Sequence, residues 1–314
     1  MVEILSRKDV LERYGSMEWI SPYERIIAMT DGELIEVHEF HARNRCIGGA
    51  AWEVYHYPRV SGLIIAARRE GARNIFILKQ GKTELKLIPG IAGAGVEEAH
   101  VLKDTIELTY AGLAGGGIAA TVCRGMAEGC HNIEIVELGG GGKLGRAKLV
   151  LKKYEKVVIG VDDTDNKEKG ATWSLMNEIA YKMEKEELGH YLMHTITQLY
   201  TNNPNKTTNC VSISVTFATE RPKELVERFR KELERLTVSE NTGMAVYRKI
   251  TIPDELRAYG AKVKSRLVSL SDAYEIAEKF GIETIPITGE RGIIGAIAAL
   301  AFSDSPEEAV KVYA

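Results

Sequence analysis

Between residues 157 and 250 the spacing of apolar side chains changes in a fixed order, and that order restricts the fold more than any other feature of the chain. Residues 157–161, Val-Val-Ile-Gly-Val, form a continuous apolar run of the kind found in a strand buried on both faces. Residues 172–187 then place Leu175, Ile179 and Met183 on one helical face. Residues 191–200 and 210–217 return to strand character. A second helix is predicted over 222–236, with Pro222 in its first turn and Leu225, Val226, Phe229 and Leu233 as its apolar stripe. Residues 244–250 form the last strand. Strand, helix, two strands, helix, strand is the split βαβ, or ferredoxin-like, order. A helix over 272–280, a strand over 283–287 and a closing helix over 292–302 extend it.

The preceding half reads differently. Short apolar runs at 25–29 and 34–38 flank Asp31-Gly32, a hairpin signal. A helix is predicted over 60–70, strands over 74–78, 84–88 and 105–110, a helix over 118–127 and a strand over 132–138. Four glycines at 139–142 precede Lys143, Arg146, Lys148, Lys152, Lys153 and Lys156, which alternate with Leu144, Ala147, Leu149 and Leu151. That alternation is expected of a half-buried strand whose cations face water. The 314 residues suffice for two domains at roughly 150 residues each. We divide them into residues 1–152, a mixed α/β domain, and residues 153–314. The fold class expected is α+β.

Composition removes several function classes. With 41 Lys and Arg against 44 Asp and Glu, the net charge is -3, so bulk electrostatic coating of nucleic acid is not expected, and charge runs such as 143–156 are usually solvated rather than RNA-bound. No apolar stretch approaches the ~20 residues that cross a bilayer. The charged N-terminus lacks the apolar core of a secretory signal, as expected of a soluble, cytoplasmic protein with no membrane partner. Cys46, Cys123, Cys130 and Cys210 form no C-x-x-C pair, so zinc ribbons and disulfide frameworks do not fit.

The chemistry is concentrated in the second half. Asp162, Asp163 and Asp165 crowd the exit of the 157–161 strand. A helix cap needs one aspartate, and the surplus matches Mg²⁺, which takes carboxylate oxygens together with water and phosphate oxygens. Gly170-Ala171-Thr172 opens the following helix, where unpaired backbone N–H groups attract phosphate; Thr172 would serve as an N-cap in either case. Asn-Pro-Asn-Lys-Thr-Thr-Asn at 203–209 adds Lys206 and Thr207, a cation and a hydroxyl for a triphosphate. Arg291 and Gly292 open the last helix, in a segment that could equally be close packing. Asp162, Gly170 to Thr172, Lys206 and Arg291 should converge on one cleft, because metal, amide and countercharge must reach the same triphosphate.

Rival sites are weaker. Gly139 to Lys143 is not a phosphate loop, because Glu137 and Leu144 stand where Gly and Ser or Thr are required. Gly115-Gly116-Gly117-Ile118-Ala119-Ala120 fits G-x-G-x-x-A with Glu137 downstream, a pattern of low specificity. His38, His41 and Cys46 are read as surface residues rather than metal ligands. His190 and His194, four apart in a strand, lie about 13 Å apart.

Gly-Val-Asp-Asp-Thr-Asp-Asn at 160–166, Gly-Ala-Thr at 170–172, the 203–209 loop, Glu-Asn-Thr-Gly-Met-Ala at 240–245 and Arg-Gly-Ile-Ile-Gly-Ala-Ile-Ala-Ala at 291–299 together resemble the kinase-type region of tRNA-Ile agmatinylcytidine synthetase. The whole chain resembles the methanogenesis marker protein 11 family. The first resemblance implies ATP and Mg²⁺ as cofactors and a nucleotide or RNA as partner, with Asp162, Asp163 and Asp165 as metal ligands and catalytic groups. It makes Lys206 catalytic and puts Thr207 near the nucleotide, with Thr172 matching a threonine that becomes phosphorylated. The second implies a role in methanogenesis, with a protein partner there. Three functions remain open: a phosphotransferase or ATP-hydrolysing enzyme, a nucleotide-binding accessory protein, and a tRNA-modification enzyme.

Overall fold

A computed structural model describes residues 2–313, and its fold is α+β. The chain divides into two compact units, the first ending at Tyr154 and the second starting at Glu155.

The first unit contains β1 (Glu3–Ser6), α1 (Arg7–Tyr14), β2 (Arg25–Thr30), β3 (Leu34–Phe40), α2 (Ile47–Val60), β4 (Ile64–Glu70), β5 (Arg73–Lys79), β6 (Gly81–Lys82), β7 (Ala94–Val101), β8 (Thr105–Leu113), α3 (Ala114–Ile118), β9 (Cys130–Gly140) and most of β10 (Lys143–Asp162). Antiparallel pairing runs β4-β5-β3-β2 in one group and β6-β7-β8-β10-β9-β1 in another. The β2–β3 hairpin turns at Asp31-Gly32 as its sequence requires; Asp31 Oδ1 accepts from the N–H groups of Glu33 and Leu34.

Four expectations for this unit are corrected. The helix predicted over 60–70 ends at Val60, and Ile64–Glu70 is a strand. Pairing with β5 outweighs the helical preference of Ala-Ala-Arg-Arg-Glu, while α2 forms across Gly48 and Gly49 because Ala50, Glu53, Tyr57 and Val60 bury a continuous face. Residues 84–88 form no strand; only Ile88 bridges to Ala92, and the strand is Ala94–Val101. The helix over 118–127 is instead α3 followed by a π turn at Ala119–Cys123, broken at buried Thr121 (φ -115°, ψ -107°). His38 and His41 are buried, not surface residues. Of the glycines at 115–117, two serve packing: a Cβ on Gly117 would fall 2.7 Å from Gly112 O and 2.8 Å from Gly145 N, and one on Gly116 3.2 Å from the Ala94 Cβ, whereas nothing lies within 4 Å of the point above Gly115. Glu137 binds Arg146.

The basic run lies in β10 with alternating burial, and its cations meet carboxylates of neighbouring strands: Arg146 with Glu97 and Glu137, Lys148 with Glu107 and Glu134. Lys156 departs from the solvated reading. It is buried, and its Nζ donates to Ile250 O at 3.2 Å.

The first unit closes around Arg124, which is fully buried. Nε and Nη2 each donate at 2.8 Å to the Glu39 carboxylate, and Nη2 reaches Glu53 Oε1 at 3.0 Å. The rings of Tyr23 and Tyr110 lie 4.4 and 4.3 Å from the guanidinium carbon, an arrangement that desolvated cations favour.

In the second unit, residues 155–162 of β10 are followed by α4 (Thr172–Lys185), β11 (His190–Gln198), β12 (Val211–Thr219), α5 (Pro222–Leu236), β13 (Gly243–Tyr247), α6 (Asp254–Ser265), α7 (Leu270–Phe280), β14 (Glu283–Pro286), α8 (Gly292–Ala301) and α9 (Pro306–Ala309). The strand order β11-β12-β10-β13-β14 is antiparallel throughout. Its first four strands have the ferredoxin-like order, with β14 added at one edge. Helices α4 and α5 bury Met176, Ile179, Met183, Leu225, Phe229 and Leu233 against one sheet face, while α6, α7 and α8 form a second core around Ala296, Ile297 and Leu300. Helix α6 adds to the elements expected from apolar spacing: the charged segment Asp-Glu-Leu-Arg-Ala-Tyr-Gly-Ala-Lys-Val-Lys-Ser becomes helical by burying Leu256, Tyr259 and Val263.

Removing one carboxylate from the Arg124 group leaves a buried cation undercompensated. Glu39→Gln should cost about 3–5 kcal/mol, read as a lower midpoint for the first unit in urea denaturation followed by Tyr fluorescence.

Candidate functional site

The end of β10 is where the second unit concentrates charge. Strand pairing continues to Asp162, which faces Gly243 of β13. The chain then turns sharply: Asp163 has φ +58° and Gly170 has φ +101°. The turn is stitched to the loop between α5 and β13. Thr164 O accepts from Val238 N at 3.0 Å and Thr237 Oγ1 at 3.1 Å, and Asp163 O accepts from Thr242 Oγ1 at 2.7 Å. Buried Thr164 donates to Thr172 Oγ1 at 3.0 Å. Thr172 is therefore the first helical residue, not the N-cap; that position belongs to Ala171, whose methyl accepts nothing, so no side chain caps the first amides of α4.

Helix α8 covers the strand end at very short range. A Cβ on Gly295 would fall 1.9 Å from Asp162 Oδ2, and one on Gly160 would fall 2.1 Å from Ala296 O. Gly292 lies against Gly243 N and the Asp162 carbonyl, so its role here is close packing. Neighbouring Arg291 extends the other way, and its Nε donates to Asp163 Oδ2 at 2.9 Å.

These contacts leave the acidic group short of positive charge. Asp162 accepts the Asp163 N–H at 2.8 Å, yet burial, reinforced by the charge of Asp163, holds its carboxyl well above the usual carboxylate range. Burial raises Asp165 as well. Nearby Cys210 is pushed to about 11 by burial, with Asp162 adding to the effect. Arg291 is the guanidinium paired within the group. Lys206 Nζ is turned to its own loop, donating to Thr201 O.

A cleft of about 110 Å³, partly open to solvent, is lined by Asp162, Asp163, Asp165, Lys206, Thr207 and Arg291. An adjoining polar depression shares Asp165 and Thr207 and is walled by Gly170, Thr172, Lys167, Lys169 and Trp173. Strand end, lysine loop and Arg291 thus reach one cleft, and the start of α4 lies next door. Gly292 lines neither. Tyr200, Cys210, Arg266 and Leu267 also line the main cleft and were missed. Arg266 and Leu267 directly follow the unanticipated helix α6; recognising the Leu256, Tyr259, Val263 spacing would have led to them. Among the described residues no group of three or more His, Cys, Asp or Glu side chains is gathered to hold a metal ion by itself. No helix among them is long and apolar enough to cross a membrane.

Residues 158–224 match the family model described as the TiaS TCKD domain. Over 294 residues the chain is 44% identical to the uncharacterized protein MJ0921 of Methanocaldococcus jannaschii, an alignment covering 92% of this chain and 97% of that protein. It is 30% identical over 151 residues to the isoleucine-tRNA 2-agmatinylcytidine synthetase TiaS of Pyrococcus horikoshii, 46% of this chain and 35% of the synthetase. The chain thus spans about a third of the length of that synthetase. The solved complex of TiaS with its isoleucine tRNA and ATP aligns with a TM-score of 0.44 and 22% identity, over 47% of this chain and 36% of that one.

The absence of a Cβ at position 295 is what admits the Asp162 carboxylate beneath α8. Gly295→Ala should displace that carboxylate and destabilise the second unit by about 1–3 kcal/mol; thermal unfolding reads the loss, and a crystal structure of the variant reads the displacement.

Proposed function

Since the chain belongs to the family of the Methanocaldococcus jannaschii protein MJ0921, and since a nucleotide-using synthetase is its relative over the second half, we propose that it is an ATP- and Mg²⁺-dependent phosphotransferase or ATP-hydrolysing enzyme. The observation that carries this reading is the charge imbalance at the strand end: a buried carboxyl, crowded by two more, with one guanidinium to offset three acids. A divalent cation satisfies that imbalance, and phosphate oxygens complete its ligand shell. Asp162, Asp163 and Asp165 would supply its protein ligands, one or two at a time. Bound Mg²⁺ would neutralise charge on the phosphates. Arg291 and Lys206 would supply further countercharge, Thr207 a hydroxyl, and the uncapped amides at Thr172 an anion site. The protein's contribution on this reading is positioning and neutralisation.

The second reading is a tRNA-modification enzyme, favoured by the 30% identity to the synthetase. A purpose in methanogenesis, with a protein partner in that metabolism and a domain boundary near residue 152, belongs to the same proposal. The role and the partner rest on the whole-chain resemblance and on the source of the MJ0921 relative; the boundary is supported by the division of the chain after Tyr154.

Titration calorimetry with MgATP tests the core of this reading. Asp163→Asn should weaken Mg²⁺-dependent ATP binding at least tenfold and abolish ATP hydrolysis, while the melting temperature stays near that of the unsubstituted protein. EDTA should mimic the substitution. Unchanged MgATP affinity in the variant would overturn the assignment, and tight binding without turnover in the unsubstituted protein would select the accessory role.

A further inference from the structure

Behind the acidic strand end, on the sheet face that α8 covers, lies a second set of oxygens that line neither cleft. Gly160 of β10 looks onto that face, since a Cβ there would fall 2.1 Å from Ala296 O. Ser214 of β12 pairs with Gly160, and Thr195 of β11 pairs with Ser214. Side chains alternate along a strand, so Asp162, Ser212 and Thr197 look onto the same face, and Thr197 is paired with Ser212. The register that sets Val161 against Ile213 brings Ser212 opposite Asp162 one residue further on. Direct cross-strand neighbours hold their Cβ atoms about 4.5–5.5 Å apart. One carboxylate and the hydroxyls of Ser212, Ser214 and Thr197 therefore form a single patch.

Thr197 and Ser212 are fully buried and Ser214 is 1% exposed, yet none of the three hydroxyl oxygens has a hydrogen-bond partner. Thr195, on the same face, is satisfied: its Oγ1 donates to Ser303 O at 3.4 Å, just past the end of α8. The helix offers the other three nothing equivalent. Gly295 lies on Asp162, and Ser303 reaches Thr195. Ala299, four residues from each and fully buried, therefore stands over the patch with a methyl group. A buried hydroxyl without a partner is destabilising, and an alanine or valine in its place would avoid the cost. Positive charge is short here as well. Arg291 is engaged by Asp163 and Lys206 by Thr201 O, so neither is spent on the sheet side of Asp162.

We propose that this patch binds a monovalent cation of potassium's kind, with Asp162 supplying the charge and Ser212, Ser214 and Thr197 supplying neutral oxygens. One carboxylate among hydroxyls matches a single positive charge, whereas divalent ions are held by more carboxylate or by retained water and phosphate. Water alone would satisfy the hydroxyls and leave the buried charge unmet. The ion fixes the Asp162 carboxylate from behind and leaves its other side to the cleft. Asp163, Asp165 and the 203–209 loop take no part, so the site stands whether or not the nucleotide reading does.

The probe is potassium chloride itself, added to the full-length protein in EDTA without nucleotide. Replacing choline chloride by potassium chloride at equal ionic strength should raise the melting temperature by about 2–4 °C. Ser212→Ala and Thr197→Val should each abolish that rise. Asp163→Asn, which should lose MgATP binding, should keep it, so the two assignments fail separately. Thallium(I) soaked into crystals in place of potassium should give an anomalous peak between Asp162 and Ser212. Absence of a potassium-specific rise, a rise that survives Ser212→Ala or Thr197→Val, or a thallium peak only elsewhere would overturn the proposal. A water-filled patch predicts that the substitutions lower the melting temperature equally in both salts, and a dry patch that they raise it equally; either result refutes the cation. If the variants do not fold, the thallium peak in the unsubstituted protein decides.

Discussion

Helix α8 lies so close to the end of β10 that no side-chain carbon fits between them at Gly160 or Gly295, and the chemistry of the second unit follows from that approach. Water is excluded from one side of Asp162, so its negative charge loses hydration without gaining a cation. The same helix starts at Arg291, which reaches the neighbouring Asp163 rather than Asp162. Packing therefore both creates the electrostatic deficit and limits how far the protein itself relieves it.

The surrounding loops keep the deficit in place. Thr164, Thr237 and Thr242 join the turn after β10 to the loop before β13 through hydroxyl and backbone hydrogen bonds, and Thr288 fastens that loop in turn to the entrance of α8. Hydroxyl donors suit this task because they satisfy carbonyls without adding charge to a crowded acidic site. Lys206 stands apart from this lattice. Its loop carries its cation on an exposed stem that donates to Thr201 O and pairs with no carboxylate among the described residues, and so is able to redirect it at little cost.

The second unit was largely legible in its sequence because apolar spacing and burial agree there. Leu225, Val226, Phe229 and Leu233 lie on one face of a helix whose bounds are Pro222–Leu236 as read from the proline and the stripe. The acidic turn was visible as three carboxylates after an apolar strand. Helix α6 was not, since its buried Leu256, Tyr259 and Val263 are separated by charged residues that read as surface, and with it went Arg266. In the first unit the misreadings share another cause. Local preference and tertiary pairing disagree: Ala-Ala-Arg-Arg-Glu prefers a helix and is recruited as a strand by β5, while Gly48, Gly49 and Pro58 discourage a helix that burial nonetheless builds. His38 and His41 looked superficial because polar residues in a hairpin usually face water; here the partners that bury them, Glu36 and Glu53, come from the same strand and from α2.

Arg124 unites residues scattered from position 23 to position 124: Tyr23, Glu39, Glu53, Tyr57 and Tyr110 converge on it from two strands, one helix and a loop. None of these side chains is optional once the others are in place, because each satisfies a charge or a donor that has no access to water. Across descent, then, the group should be inherited as a block. A lineage that loses the arginine must replace its carboxylates together with it, and a core of apolar residues is the only alternative that conserves volume without stranding a charge.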